Sequence, residues 1–248
     1  MANRDMSDNL IFGLQATATL TLMTLCSVIM LSVAVLTLFQ APRLYREWIA
    51  TPFGRLTLAL WGIRIKLHQS QAFPLTQTIY ISNHTSTIDL FVLLALGFPN
   101  TRFFLSGFLR KLLPLGLIGY LMGIFWTVDQ SRGAARGALF QRAEAILRRS
   151  GESVYLSPEG ERITSGGIGH FNKGAFHLAT NLKVPLLPIY ISIPSDIDPG
   201  LGLRAKPGTV HVYVKPVIST QHWRLEDLLQ NKEKVRNLFI QWQHEYKC

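Results

Sequence analysis

Between Asn9 and Pro42 the chain carries no charged residue, and from Leu20 to Phe39 it is dominated by Leu, Val, Ile, Met and Thr. A bilayer core about 30 Å thick takes roughly 20 residues of helix, so this run predicts a membrane-anchoring helix. A cleaved signal peptide fits poorly. Its apolar region would span about 7–15 residues, whereas this run is far longer, its leader sets Arg4 against Asp5 and Asp8, and no small-x-small site follows. Arg43, Arg46 and Arg55 come soon after the run while only Arg4 precedes it, which by the positive-inside rule places the remaining chain on the cytoplasmic side. The expected location is the membrane, single-pass or monotopic, with the folded domain cytoplasmic.

Charged residues make up only 16% of the 248 residues and hydrophobic ones 48%, against about 25% charged in a soluble domain. That balance excludes a disordered chain or a coiled coil. Lys and Arg outnumber Asp and Glu by 25 to 15, a net charge of +10, so a polyanionic partner is expected: nucleic acid, an anionic lipid surface or a phosphorylated substrate. The two cysteines, Cys26 and Cys248, make neither a disulfide framework nor a zinc site, which suits a reducing compartment.

After the apolar run, short β-branched or aromatic stretches alternate with helical ones. Thr78–Ser82, Arg102–Ser106, Ile124–Val128, Ser153–Ser157, Leu186–Ile193 and Thr209–Lys215 read as strands. Ile88–Leu96, Ala134–Arg149, Phe171–Asn181 and Leu225–Tyr246 read as helices, the last with Leu228, Leu229, Val235, Phe239 and Trp242 on one stripe. The fold class is α/β, a mixed, largely parallel sheet flanked by helices. Residues 1–42 form the N-terminal segment and anchor, 43–74 a membrane-proximal segment, and 75–248 the α/β domain with a C-terminal amphipathic helix. Within the middle segment Phe53–Ile65, too short and charged to span, reads as an interfacial helix. Leu112–Val128, uncharged but holding Pro114, Gly116, Gly119 and Gly123, reads as a buried loop and strand rather than a transmembrane packing motif.

The segment Asn83-His84-Thr85-Ser86-Thr87-Ile88-Asp89 follows a strand directly. The end of a strand entering a helix is where an α/β sheet presents reactive groups. A turn can return the Asp89 carboxylate to one imidazole nitrogen of His84, fixing the tautomer so that the other nitrogen accepts a proton. Spacing alone equally allows His84 to cap the helix. At the end of another strand lies Ser157-Pro158-Glu159-Gly160-Glu161-Arg162, where Arg162 can present a fork of donors to a phosphate or stand in a solvated Glu–Arg pair. Phe171-Asn172-Lys173-Gly174-Ala175-Phe176 and Val184-Pro185-Leu186-Leu187-Pro188-Ile189 follow.

These four motifs, in this order over roughly residues 75–195, resemble the 1-acyl-sn-glycerol-3-phosphate acyltransferase family of the glycerolipid acyltransferase superfamily. The resemblance implies a glycerophosphate acyltransferase-like fold, with His84 as general base and Asp89 orienting it. A lysolipid hydroxyl would attack the thioester of acyl-CoA or acyl carrier protein directly, with no acyl-enzyme, no cofactor and no metal. Glu159, Gly160 and Arg162 match the motif that binds the acceptor's glycerophosphate, Lys173 of the third motif joins these substrate-binding residues, and Pro185 and Pro188 match the last motif in a structural role. Implied partners are a lysolipid acceptor, an acyl thioester donor and an anionic membrane surface.

Two positions depart from the family pattern. Glu161 stands where the family usually has threonine, and Gln130, after Asp129, where it usually has arginine. Arg132, or Arg136 one turn on, is the candidate replacement cation; otherwise the acceptor is a lysolipid with another head group, such as an amino-acid-containing lipid. An inert lipid-binding homologue is disfavoured by the intact His84/Asp89 pair. Nucleic-acid binding is disfavoured because the arginines of 132–149 surround a helix that needs an apolar face. A metal hydrolase lacks a third ligand at a persuasive spacing. His68, His170, His177, His211, His222 and His244 fit no motif role. An acyl tunnel is expected between Leu90–Phe98 and Leu112–Phe125.

Overall fold

The computed structural model describes residues 2–129, 131–164, 166–198 and 205–246, with side chains from residue 9 onward. Helix α1 (Ala2–Leu36) is followed by a π-helical turn, Leu44–Ala50, that runs into α2 (Thr51–Leu60). Gly62 then turns the chain in the left-handed region, φ +67°, and β1 (Ile63–His68) begins. The rest alternates: β2 (Ile79–Ser82), α3 (Asp89–Leu96), β3 (Thr101–Ser106), α4 (Leu115–Met122), β4 (Phe125–Thr127), α5 (Gly133–Ser150), β5 (Ser153–Leu156), α6 (Gly174–Leu182), β6 (Leu186–Ser192), β7 (Gly208–Val214) and α7 (Leu228–Tyr246).

The strands form one seven-stranded sheet in the order β1-β7-β6-β2-β5-β3-β4. Strands β2 to β6 are mutually parallel, β7 runs antiparallel to β6, and β1 pairs parallel with β7. Successive side chains point to opposite faces of a strand, so each strand feeds two cores. Tyr80, Phe103, Tyr155, Leu187 and Ile189 join the core under α1, α2, α3 and α4. Ile79, Ile81, Phe104, Val154 and Leu156 join the core under α5, α6 and α7. Pro188 lies in β6 one residue beyond the Ile189↔Val214 pair that ends the β7 ladder, and its carbonyl accepts the Lys215 N–H at 3.0 Å.

Three readings from sequence need correction. The sheet reaches back before residue 75, because Ile63–His68 pairs with Gly208–Tyr213; the segment Phe53–Ile65 is a helix only as far as Leu60. Leu112–Val128 contains a helix, α4, ahead of strand β4. Its glycines clear neighbours within the domain: a Cβ on Gly116 would stand 2.3 Å from the Arg110 carbonyl and one on Gly119 2.4 Å from the Trp126 ring, while Gly123 ends the helix in the left-handed conformation. On α7 the buried stripe is Leu228, Val235, Phe239 and Trp242, and Leu229 is exposed.

Candidate active site

Past Ser82, the Asn83 side chain continues the sheet in place of backbone. Its amide donates to the Ile191 carbonyl and its oxygen accepts the Ile191 N–H, both at 2.8 Å. The main chain is thereby released from the β2 ladder and turns out at His84, at the edge formed by the carboxyl ends of the parallel strands.

Asp89 opens α3 and reaches back over the turn. Its Oδ2 lies 2.8 Å from His84 Nδ1 and accepts the backbone N–H groups of Thr85 and Ser86, each at 2.9 Å. With Nδ1 as donor, three N–H groups converge on this one carboxylate oxygen, and Nε2 of the imidazole is left as an acceptor. The Asp89 side chain is 2% exposed and that of His84 34%. The carboxylate is therefore sealed while the imidazole is open to solvent.

Glu159 also meets this turn. It is buried, its Oε2 accepting the His84 backbone N–H at 2.6 Å and its Oε1 that of Gly169 at 2.8 Å. Burial pushes the carboxyl up to about 7, against the pull of those two donors and of His84. With both oxygens engaged, Glu159 braces the His84 turn. Gly160 sits at φ +72°, its N–H donating to the Ser157 carbonyl at 3.2 Å; its part is the shape of the turn. The same strap holds Ile163 N–H to the His84 carbonyl at 2.8 Å. Arg162 is exposed and donates through Nη1 to the Thr87 hydroxyl, beside the His84 turn.

Lys173 is exposed and caps the start of α6. Its neighbour Asn172 donates to the Glu159 carbonyl at 2.9 Å and accepts from Arg136 Nη2 at 3.3 Å. Arg132 precedes α5 on the same sheet edge, exposed, and among the described residues no hydrogen bond joins its guanidinium to the other site residues. Of the two candidate cations, Arg136 is the one tied to the motifs. Gln130 lies outside the described residues.

Sequence reasoning missed Asp198. Buried itself, it accepts the hydroxyl hydrogen bond of buried Ser86, and that hydroxyl in turn accepts the Ile88 N–H at 3.0 Å. No motif spacing could have found a partner 112 residues away. The two segments expected to line an acyl tunnel do meet: Leu90, Phe91 and Leu94 face Leu115, Ile118 and Met122 around an apolar cavity of about 10 Å³. That volume is too small for an acyl chain. A larger space of about 330 Å³ lies between α2, β1 and α3, beside Arg55 and Ile63.

A histidine–aspartate pair at the carboxyl edge of a mostly parallel sheet, strapped by a glutamate and flanked by arginine, defines a class, and residues 64–192 match the family described as Acyltransferase. The chain belongs to that acyltransferase family. Its relatives include the 1-acyl-sn-glycerol-3-phosphate acyltransferase alpha of Mus musculus, 31% identical over 186 residues, 73% of this chain and 64% of the relative. The 1-acyl-sn-glycerol-3-phosphate acyltransferase of Limnanthes douglasii is 25% identical over 202 residues, 75% of this chain and 66% of the relative. The match thus spans just under two thirds of the length of these relatives. The crystal structure of the 1-acyl-sn-glycerophosphate (LPA) acyltransferase PlsC from Thermotoga maritima shares the fold, with a TM-score of 0.74 over 96% of both chains at 19% identity.

Proposed function

We propose that this chain transfers a fatty acyl group from an acyl thioester, acyl-CoA or acyl carrier protein, to the free hydroxyl of lysophosphatidic acid, giving phosphatidic acid. The observation that carries the proposal is the His84 imidazole, held through Nδ1 by Asp89 and with a third of its side chain exposed. Nε2 takes the proton of the acceptor hydroxyl as its oxygen attacks the thioester carbon. The tetrahedral intermediate collapses by breaking the C–S bond, and the thiolate leaves with the proton now on the imidazolium, restoring the neutral base. The Arg162 guanidinium, spending one donor on Thr87, has others for the acceptor phosphate.

The chain works at a membrane surface in this proposal. Helix α1 has 28 residues, Asn9–Leu36, apolar enough to cross a bilayer. Cys26, Met30 and Ala34, one helical face, are buried against the domain. Trp61 Nε1 donates to Thr19 Oγ1 at 2.9 Å and Gln15 Nε2 to the Leu60 carbonyl at 3.3 Å. A helix held to the domain over that length does not stand free as a span, whereas Leu25, Val28, Ile29 and Leu36 on its other faces are exposed. The monotopic arrangement, α1 half-sunk with the domain on the cytoplasmic side, accommodates both.

His84→Ala is expected to lower kcat for lysophosphatidic acid by about 10²–10⁴-fold, the usual cost of losing a general base, with the melting temperature and membrane association retained. Asp89→Asn should cost less, since the base survives. Near-normal turnover by His84→Ala sinks the mechanism. Preference of the wild type for a lyso-amino-lipid over lysophosphatidic acid, reversed in Gln130→Arg, replaces the phosphate acceptor with the cationic one.

A further inference from the structure

We infer that the loop Phe108–Leu113 is a second membrane-contacting point, inserting into an anionic phospholipid surface at the active-site edge of the sheet. The inference rests on the membrane-surface reading of the proposed function and adds the part of the domain that meets lipid beside the site. In this run Phe108, Leu112 and Leu113 are 65%, 43% and 81% exposed, and Arg110 and Lys111 between them are exposed too. Solvated loops do not usually offer three large apolar side chains to water, and alternation with cations is the composition of a segment at the lipid headgroup boundary.

The loop is built, not slack. The Gly107 N–H donates to the Thr127 carbonyl at 3.0 Å, Lys111 N–H to Phe108 at 3.1 Å, and Gly116 N–H to Leu112 at 2.8 Å. Gly116 passes so close to the Arg110 carbonyl that any Cβ would stand 2.3 Å from it. The apolar tips are thus held outward by main-chain bonds rather than left there by a missing partner element.

Placement ties the loop to the site. It leaves the carboxyl end of β3, and β3, β5 and β2 are adjacent parallel strands, so the strand end that launches the loop lies two strand spacings, about 10 Å, from the end of β2 that launches His84. Helix α4, which follows the loop, packs on α1, so the loop is tied through α4 to the apolar helix. A second copy of the chain is the poorer occupant, since a two-fold contact sets a patch against itself and would bring Arg110 and Lys111 against their own copies.

The test uses the full-length chain with Leu113→Cys in a Cys248→Ser background, labelled with nitrobenzoxadiazole, and Gln221→Cys as control. Gln221 is exposed, bonded to the Lys183 carbonyl just before β6, hence at the opposite edge. In vesicles of phosphatidylcholine with phosphatidylglycerol, the Leu113 probe should shift to the blue and be quenched by acyl-chain doxyl lipids, and the Gln221 probe should do neither. Vesicles of phosphatidylcholine alone should give a weaker shift. Phe108→Ser with Leu113→Ser should raise KM for long-chain lysophosphatidic acid in vesicles about tenfold and leave kcat, and KM for a short-chain soluble acceptor, unchanged. A water-exposed, unquenched Leu113 probe on protein that floats with the vesicles overturns the inference, and so does Leu113→Cys cross-linking of two chains. The fluorescence needs no turnover, so it decides the loop even if lysophosphatidic acid proves not to be the acceptor.

Discussion

Glu159 spends both carboxylate oxygens on backbone N–H groups, one of them His84's own. A residue that bound the acceptor would raise KM when lost; one that braces the base should lower kcat. Glu159→Gln replaces one acceptor oxygen with an NH2 facing an N–H, so kcat is expected to fall about 10-fold or more with KM for the acceptor little changed, read by steady-state kinetics. The same residue predicts a pH effect. Its folded value of about 7 exceeds the ordinary 4.5, so the folded chain holds the proton more tightly than the unfolded one. Stability is therefore full below about 4.5 and declines as pH rises through 7, by roughly 1–3 kcal/mol. Melting temperatures in detergent should show this slope in wild type and lose it in Glu159→Gln. At this scale the His84–Asp89 contact was legible as one of two readings of a five-residue spacing, and the family resemblance, not the spacing, favoured it. Glu159 was placed in the site, but its bracing of the turn was not legible, since only the folded strap sets it under His84. Asp198 left no local trace.

Glu152 sits where three elements meet at the opposite edge of the sheet. Its Oε1 accepts from Arg46 Nη1 and its Oε2 from Arg102 Nε, both at 2.5 Å. Arg46 Nε donates to the Met122 carbonyl at 2.8 Å and Arg102 Nη1 to Gly123 at 3.0 Å, so the π-helical turn, β3 and the end of α4 close on one buried carboxylate. Glu152→Ala leaves the buried Arg46 charge without its counter-ion, an expected loss of about 3–5 kcal/mol seen as a lower melting temperature. Sequence gave no sign of this network, because arginine after an apolar run reads as a topology signal. Elements whose pattern was local were read within a few residues: α5 was expected at Ala134–Arg149 and spans Gly133–Ser150. Strand β1 was lost although Ile63, Ile65 and Leu67 alternate with Arg64, Lys66 and His68. The helical run before it masked the change of period at Gly62. Helix α4 was lost because its glycines answer to Arg110 and Trp126, neighbours that the sequence does not order in space.

The whole molecule joins an apolar helix to a basic domain along one shared core. Cys26, Met30 and Ala34 pack with Ile118, Leu121 and Met122 of α4 and with Phe53 and Leu58 of α2. Deleting residues 1–42 therefore strips the cover from that core and is expected to yield aggregate rather than a released soluble domain. The informative change alters only the outer faces. Leu25, Val28 and Leu36 are 54%, 55% and 83% exposed, so Leu25→Gln, Val28→Gln and Leu36→Gln together should leave the melting temperature in place. At about 1.5 kcal/mol or more for each buried apolar side chain, they should remove roughly 4–5 kcal/mol of lipid contact. What remains is the apolar contact of Ile29 and of the 108–113 loop together with an electrostatic part drawn from the net charge of +10, and salt screens only the latter, the Debye length shrinking from about 10 Å at 0.1 M to 3 Å at 1 M. The fraction of the triple variant that sediments with membranes should therefore fall as salt is raised, while that of wild type does not. A triple variant whose sedimentation is as insensitive to salt as that of wild type would mean that these outer faces do not carry the membrane contact, and the monotopic arrangement would then be wrong.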